Sequence, residues 1–157
     1  MHIRSKEVCD GIGNNRPDLE PTCGRPLGIG FYLRTKQLFI ADAYQGFLVV
    51  APNERVATKI ASGAEGVPFK LPTGLDVDQL TGNVYFTDAS SQYSLSEIQE
   101  AIDTGDATGR LLKYDNNTQQ VTALLSGLSG AGGTSISSDG SFVLVSEFTA
   151  NRIKKFC

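Results

Sequence analysis

Apolar and polar residues alternate in short runs along this chain, and the runs recur in a fixed order. In "LPTGLDVDQLTGNVYFTDAS", residues 71–90, Leu75 and Val77 alternate with Asp76 and Asp78, a polar turn follows, and Val84-Tyr85-Phe86 leads to Asp88. Period-two alternation places Leu75 and Val77 on one face of a strand, and the turn residues send the chain back antiparallel. The same order appears in "RPLGIGFYLRTKQLFIADAYQGFLVV" and in "GAGGTSISSDGSFVLVSEF". Each copy turns at residues 34–36, 79–82 or 138–140 and ends its second strand on an acid: Asp42, Asp88 or Glu147.

A third strand follows each acid ("GFLVVAP", "GRLLKYD", "NRIKKF"), and a fourth follows in the first two copies ("RVATKIA", "QVTALL"). Four short antiparallel strands repeating at 46 residues, the Asp42 to Asp88 spacing, predict the blades of a β-propeller. Asp88 and Glu147 stand 59 residues apart because "SQYSLSEIQEAIDTGDATG" intervenes. Leu95, Ile98 and Ile102 are spaced there for one face of a short helix near 94–103, which Ser94 or Ser96 caps. The expected organisation is an N-terminal segment, 1–25, and a partial propeller, 26–157, with blades near 26–62, 71–126 and 131–157. The last blade is incomplete. Three blades do not close a ring, so the expected fold class is all-β, a piece of a larger propeller with unpaired edges and a half-exposed apolar face.

Composition agrees: 17 Gly and 6 Pro among 157 residues, with 40% hydrophobic residues, suit a turn-rich β domain and argue against disorder. A net charge of -3 with scattered Lys and Arg leaves no basic stripe, so neither nucleic acid nor a membrane surface is an expected partner. The N-terminal "MHIRSKEVCDG" contains no apolar leader core. Cys9 and Cys23 bracket a Gly/Asn/Pro loop and lack the CxxC neighbours of a zinc site. A disulfide is the preferred reading, and two free thiols the alternative. Asn116-Asn117-Thr118 is a glycosylation sequon in a turn and points to the secretory route.

Catalytic motifs are missing. His2 is the only histidine, so no Ser-His-Asp or Cys-His set has a base; "GLSGA" fails the nucleophile-elbow pattern, and "GIGNNRP" fails the dinucleotide one. Neither cofactor nor metal is expected. The repeated acids invite a metal or general-acid reading, but strand-end acids more simply cap turns or tie blades together. Asp76 and Asp78 share a strand face open to a cation, although calcium needs about six to eight oxygens. By alternation Phe31, Phe39, Tyr85 and Phe86 are core candidates, whereas Tyr44 and Tyr93, each just beyond an acid, are candidates for a central pocket.

From Cys23 to Phe156 the wording resembles the plant strictosidine synthase family, in "CGRP" (23–26), "GVPFK" (66–70), "VDQLTGNVYFTD" (77–88), "TGRLLKYD" (108–115) and "GSFVLVSEF" (140–148). The resemblance implies a six-bladed propeller, a Cys9–Cys23 disulfide, passage through the secretory system to the vacuole, and a monomer at full length. It further implies alkaloid biosynthesis by a Pictet-Spengler condensation of tryptamine, an aryl-ethylamine, with the aldehyde secologanin. The proton-handling glutamate of that reaction is expected beyond Cys157, so no catalytic residue is expected in this chain; Glu147 matches an ordinary strand-end acid. Tyr44 matches a pocket tyrosine of the family, but Gln45 and Gly46 replace bulkier neighbours. Leu71-Pro72-Thr73 stands where the synthases carry a bulky Trp-Leu-Tyr run, which places Thr73 in the pocket wall and thins the surface against an indole. Calcium-dependent lactonases and esterases share this propeller type, yet Thr73 and Gly132 occupy the places of two of their metal-binding asparagines.

Overall fold

The computed structural model describes residues 6–9 and 16–157; His2 and residues 11–15 lie outside them. A first antiparallel sheet runs β1 (Pro26–Tyr32), β2 (Gln37–Asp42), β3 (Gly46–Val50) and β4 (Thr58–Ala61) in sequence order. A small hairpin follows, β5 (Gly63–Ala64) and β6 (Val67–Pro68). Glu65 and Gly66 turn it with φ of 53° and 79°, the paired positive angles of a type I′ turn. The second sheet is β7 (Pro72–Val77), β8 (Val84–Asp88), β9 (Gly109–Asp115) and β10 (Gln120–Leu128). The third has three strands among the described residues, β11 (Ala131–Ile136), β12 (Val143–Glu147) and β13 (Arg152–Phe156). Each sheet is a meander whose neighbours in sequence are neighbours in space. That is the build of a propeller blade, and the chain is all-β with a short helical insertion, as the repeat predicts.

Strand register decides which apolar residues meet. Tyr32, Phe39 and Phe47 of the first sheet pack against Val77, Val84, Phe86, Leu112 and Tyr114 of the second. Phe47 and Phe86 stack with ring centroids 4.5 Å apart. Each such buried side chain contributes about 1.5–3 kcal/mol over its exposed state. Between the second and third sheets, Leu111 and Leu128 meet Val143 and Val145. Phe31, a core candidate by alternation, is 54% exposed. It lies on the odd-numbered face of β1, which points away from the second sheet, while Tyr32 on the even face is buried.

The first strands of successive units converge, and glycine lets them. A Cβ on Gly28 would strike Thr73 O, and one on Gly74 would strike Gly132 O. In the first two repeats the opening glycine is therefore a contact requirement between strands, not a turn.

The insertion opens with a 3₁₀ turn, Leu95–Glu97, and continues as a helix, Ile98–Asp103. Ser94 starts it, donating both its N–H (2.9 Å) and its Oγ–H (2.8 Å) to Glu97 Oε2. Leu95 and Ile98 pack on Ala43, Leu71 and Ala89. Ile102, expected on the same face, is 40% exposed, and Ala101 is buried instead. The 3₁₀ turn, at three residues per turn, moves the apolar stripe onto 95, 98 and 101. At the N-terminus Cys9 and Cys23 are disulfide-bonded. Gln45 Nε2 donates to Pro21 O at 2.7 Å and holds this segment to the first sheet.

Candidate functional site

The end of each second strand carries its acid, and the three acids have three occupations. Asp42 Oδ1 accepts N–H bonds from Tyr44 (2.9 Å) and Gln45 (2.8 Å), closing the turn between β2 and β3. Asp88 Oδ1 accepts from Leu71 N (2.8 Å) and Lys70 N (3.2 Å), and its Oδ2 pairs with Arg110 Nη2 at 2.7 Å. Arg110 also donates to Pro68 O at 3.1 Å and lies over the Phe69 ring, so the pair pins the β5–β6 hairpin to the second sheet. Burial pushes the Asp88 carboxyl up, against the pull of Arg110 and the two backbone donors. Glu147 accepts from Arg152 Nε (2.6 Å) and Ser129 N (2.8 Å), and Arg152 holds its carboxyl down at about 2. Each of the three is already occupied on this geometry by backbone donors, a guanidinium or both.

Tyr44 and Tyr93 are both brought against the insertion. Tyr44 packs with Leu95 and Ile98, and burial together with the negative charge of Glu20 raises its hydroxyl above the usual phenol range. Tyr93 N donates to Ser90 Oγ (2.9 Å), and its hydroxyl accepts a long bond from Thr104 Oγ1 (3.4 Å). Thr73 does not join them. Its Oγ1 donates to Ala131 O at 2.8 Å and meets Thr87 Oγ1 at 2.8 Å, so it ties the second sheet to the third. Leu71, beside it, is 1% exposed beneath the insertion and forms part of a small apolar cluster with Ala43 and Ala89. Asn116 is half-buried, its side-chain amide nitrogen close to Gly82.

Asp76 and Asp78, a strand-face pair that alternation leaves open to a cation, are instead bonded to protein donors. Asp76 accepts from Val77 N (2.9 Å) and, across sheets, from Ile136 N (2.8 Å); Asp78 caps its own turn through Leu80 N (2.9 Å) and Thr81 Oγ1 (2.6 Å). Asp76 and Asp88 also sit at opposite ends of the β7–β8 ladder, where Asp76 pairs with Tyr85 and Asp88 with Pro72. Among the described residues no three His, Cys, Asp or Glu gather as a metal set. No described helix is long and apolar enough to cross a membrane. Sequence reading missed two staples: Gln79, which spans from Phe31 O (2.7 Å) to Leu33 N (3.0 Å), and Arg110. An arginine at the start of the strand that follows a repeated acid was the available signal for Arg110, which pairs with Asp88 across the ladder.

Comparison with known proteins supplies what the geometry alone does not. A family model described as strictosidine synthase matches residues 73–157. Protein STRICTOSIDINE SYNTHASE-LIKE 12 of Arabidopsis thaliana is 50% identical over 149 residues, covering 94% of this chain and 44% of that protein. Strictosidine synthase of Catharanthus roseus is 42% identical over 154 residues, covering 97% of this chain and 43% of the relative. The chain thus spans under half the length of these curated relatives. Among solved structures, a putative gluconolactonase superposes with a TM-score of 0.65 at 15% identity over 84% of this chain and 44% of its own. A gluconolactonase from Xanthomonas campestris gives 0.57 at 13% identity, over 85% of this chain and 58% of its own. At such identities these two speak for the propeller fold alone.

Proposed function

The chain belongs to the strictosidine synthase family, and from that premise we propose that it forms three blades of an enzyme that condenses an aryl-ethylamine with an aldehyde. The observation that carries this reading is the 42% identity to the Catharanthus roseus synthase across 97% of the chain. The proposed reaction is a Pictet-Spengler condensation of alkaloid biosynthesis, with tryptamine and secologanin as the reference pair. Imine formation and ring closure both move protons, and a positioned acid–base group accelerates such steps by roughly 10² to 10⁴. By the family resemblance we assign that role to a glutamate beyond Cys157; Asp42, Asp88 and Glu147 carry backbone donors or guanidinium groups instead. This chain then contributes scaffold and pocket wall, with Tyr44 and Tyr93 against the insertion. The secretory route, vacuolar residence and a glycan on Asn116 belong to the same proposal, supported by the Cys9–Cys23 disulfide.

One observation favours a different substrate pair within the same chemistry. Leu71 is buried and Thr73 is hydrogen-bonded into the sheet junction, so neither presents an aromatic face to an indole. The full-length protein, incubated with tryptamine and secologanin and then with other amine and aldehyde pairs, is expected to yield a condensation product detected by mass spectrometry. No product from any pair, with chelator-sensitive turnover of lactones or aryl esters instead, overturns the reading in favour of a hydrolase. No turnover of either kind leaves a noncatalytic propeller.

A further inference from the structure

The segment that leads into the first sheet lies over the turn that carries Tyr44, and it has no core of its own to hold it there. Pro17–Leu19 form a 3₁₀ turn and Glu20–Cys23 a single helical turn, and neither has a buried residue. The Cys9–Cys23 disulfide ties the segment to residues that precede it, not to a sheet. Its seat is made by the two residues that flank Tyr44. Ala43 N donates to Arg25 O at 3.0 Å, and Gln45 Nε2 donates to Pro21 O at 2.7 Å. Gln45 is 7% exposed, so its amide makes that bond away from water. A buried amide is costly to leave without its acceptor, which makes this bond a condition of the closed arrangement.

Tyr44 sits between this segment and the insertion. Its own N–H and that of Gln45 are held by Asp42 Oδ1 at 2.9 and 2.8 Å, which fixes the backbone of the turn and leaves the side chain to its neighbours. Tyr44, Leu95 and Ile98 pack on the same small cluster of Ala43, Leu71 and Ala89. On the other side stands Glu20, whose charge acts with burial to raise the Tyr44 hydroxyl, and which pairs with Arg25 at 3.2 Å. One side of Tyr44 is therefore apolar and belongs to the insertion. The other is polar and belongs to a segment whose place is set by hydrogen bonds.

Resting on the proposed function's placement of Tyr44 in the pocket wall, we infer that Gln45 is a positioning residue, whose amide seats the N-terminal segment beside Tyr44 and so fixes that wall. Gln45 acts through Pro21 and Tyr44 and has no part in the chemistry. Without its donor the segment keeps the Ala43 bond and the disulfide, but loses the tie at Pro21 that holds Glu20, its neighbour in sequence, near the Tyr44 hydroxyl.

Amide hydrogen exchange on the full-length protein tests the seat, and kinetics test its consequence. In the wild type the amides of Ala43 and Gly24, held by Arg25 O and Glu20 O, are expected to exchange together and faster than the β2–β3 ladder, as one segment that opens without the sheet. Gln45→Met keeps the side chain's length and removes the donor, and is expected to speed both amides about tenfold. With whichever amine and aldehyde pair the protein turns over, it is expected to raise KM for the amine several-fold and to leave kcat nearly unchanged. Gln79→Met deletes an equally short bond, from Gln79 Nε2 to Phe31 O at 2.7 Å, at the other end of the sheets, and is expected to change neither. Ala43 exchanging only with the ladder in the wild type, an unchanged Ala43 rate in Gln45→Met, or kinetic losses that Gln79→Met reproduces overturn the inference. Absence of turnover with every pair counts against the proposed reaction alone, and the two exchange results then decide whether Gln45 seats the segment.

Discussion

Asp42, Asp88 and Glu147 hold the same place in three copies of one unit, yet only their neighbours decide what each carboxylate does. Asp88 has the most consequential partner. It and Arg110 are both buried, and Arg110 also holds carbonyls of the β5–β6 hairpin. Removing one member of such a pair strands the other charge away from water. Arg110→Ala is expected to cost about 3–5 kcal/mol in chemical denaturation, and more than the double replacement Asp88→Leu with Arg110→Met. Glu147 sets a pH window. Its carboxyl is lowered from 4.5 to about 2 in the folded protein, with the Arg152 hydrogen bond as the largest cause. A depressed folded value means a stabilisation complete above 4.5 and lost as pH falls toward 2. The melting temperature is therefore expected to drop across that window, and Glu147→Gln to reduce the drop. An acid titration as steep in the variant as in the wild type would remove Glu147 from that account.

At the scale of elements, the strands were legible because alternation and turn residues act within a few positions. The β5–β6 hairpin was not: two-residue strands carry no period, and tertiary contact through Arg110 holds them. The insertion was read correctly as helical and capped near Ser94, and Leu95 and Ile98 do pack inward, but the third position of the stripe is Ala101 rather than Ile102. Which helical turn comes first is decided by packing on Ala43, Leu71 and Ala89, and those residues are distant in sequence. The glycine that opens each repeat was visible as a pattern, and its reason was not. Gly74→Ala sets a methyl group against Gly132 O and the Gly133 Cα, in a strand junction with backbone on both sides. A loss of about 1–3 kcal/mol is expected, as for overpacked cores, measured by urea denaturation; a neutral substitution would mean that β7 and β11 separate freely.

At the scale of the molecule, the pieces combine into stacked meanders with apolar packing at both junctions and hydrogen-bonded ties across the second. Phe39, Phe47, Phe86 and Tyr114 pack across the first junction, and Thr73, Thr87 and Asp76 stitch the second. The same stitching commits Thr73 and Asp76 to protein partners. Family membership follows from similarity across nearly the whole chain, which spans 43–45% of the length of three curated relatives.

By itself the sequence determined the repeat, the all-β class, the strand-end acids and the family, because each is written in local period, turn chemistry or contiguous wording. Only the tertiary structure decided the faces. Phe31 and Tyr32 are adjacent and equally aromatic, and the side of the strand on which the second sheet packs makes one exposed and the other core. It likewise decided that Asp76 is a tie and Asp88 half of a buried ion pair. Burial and hydrogen-bond partners are properties of residues brought together from far along the chain, and no local pattern encodes them.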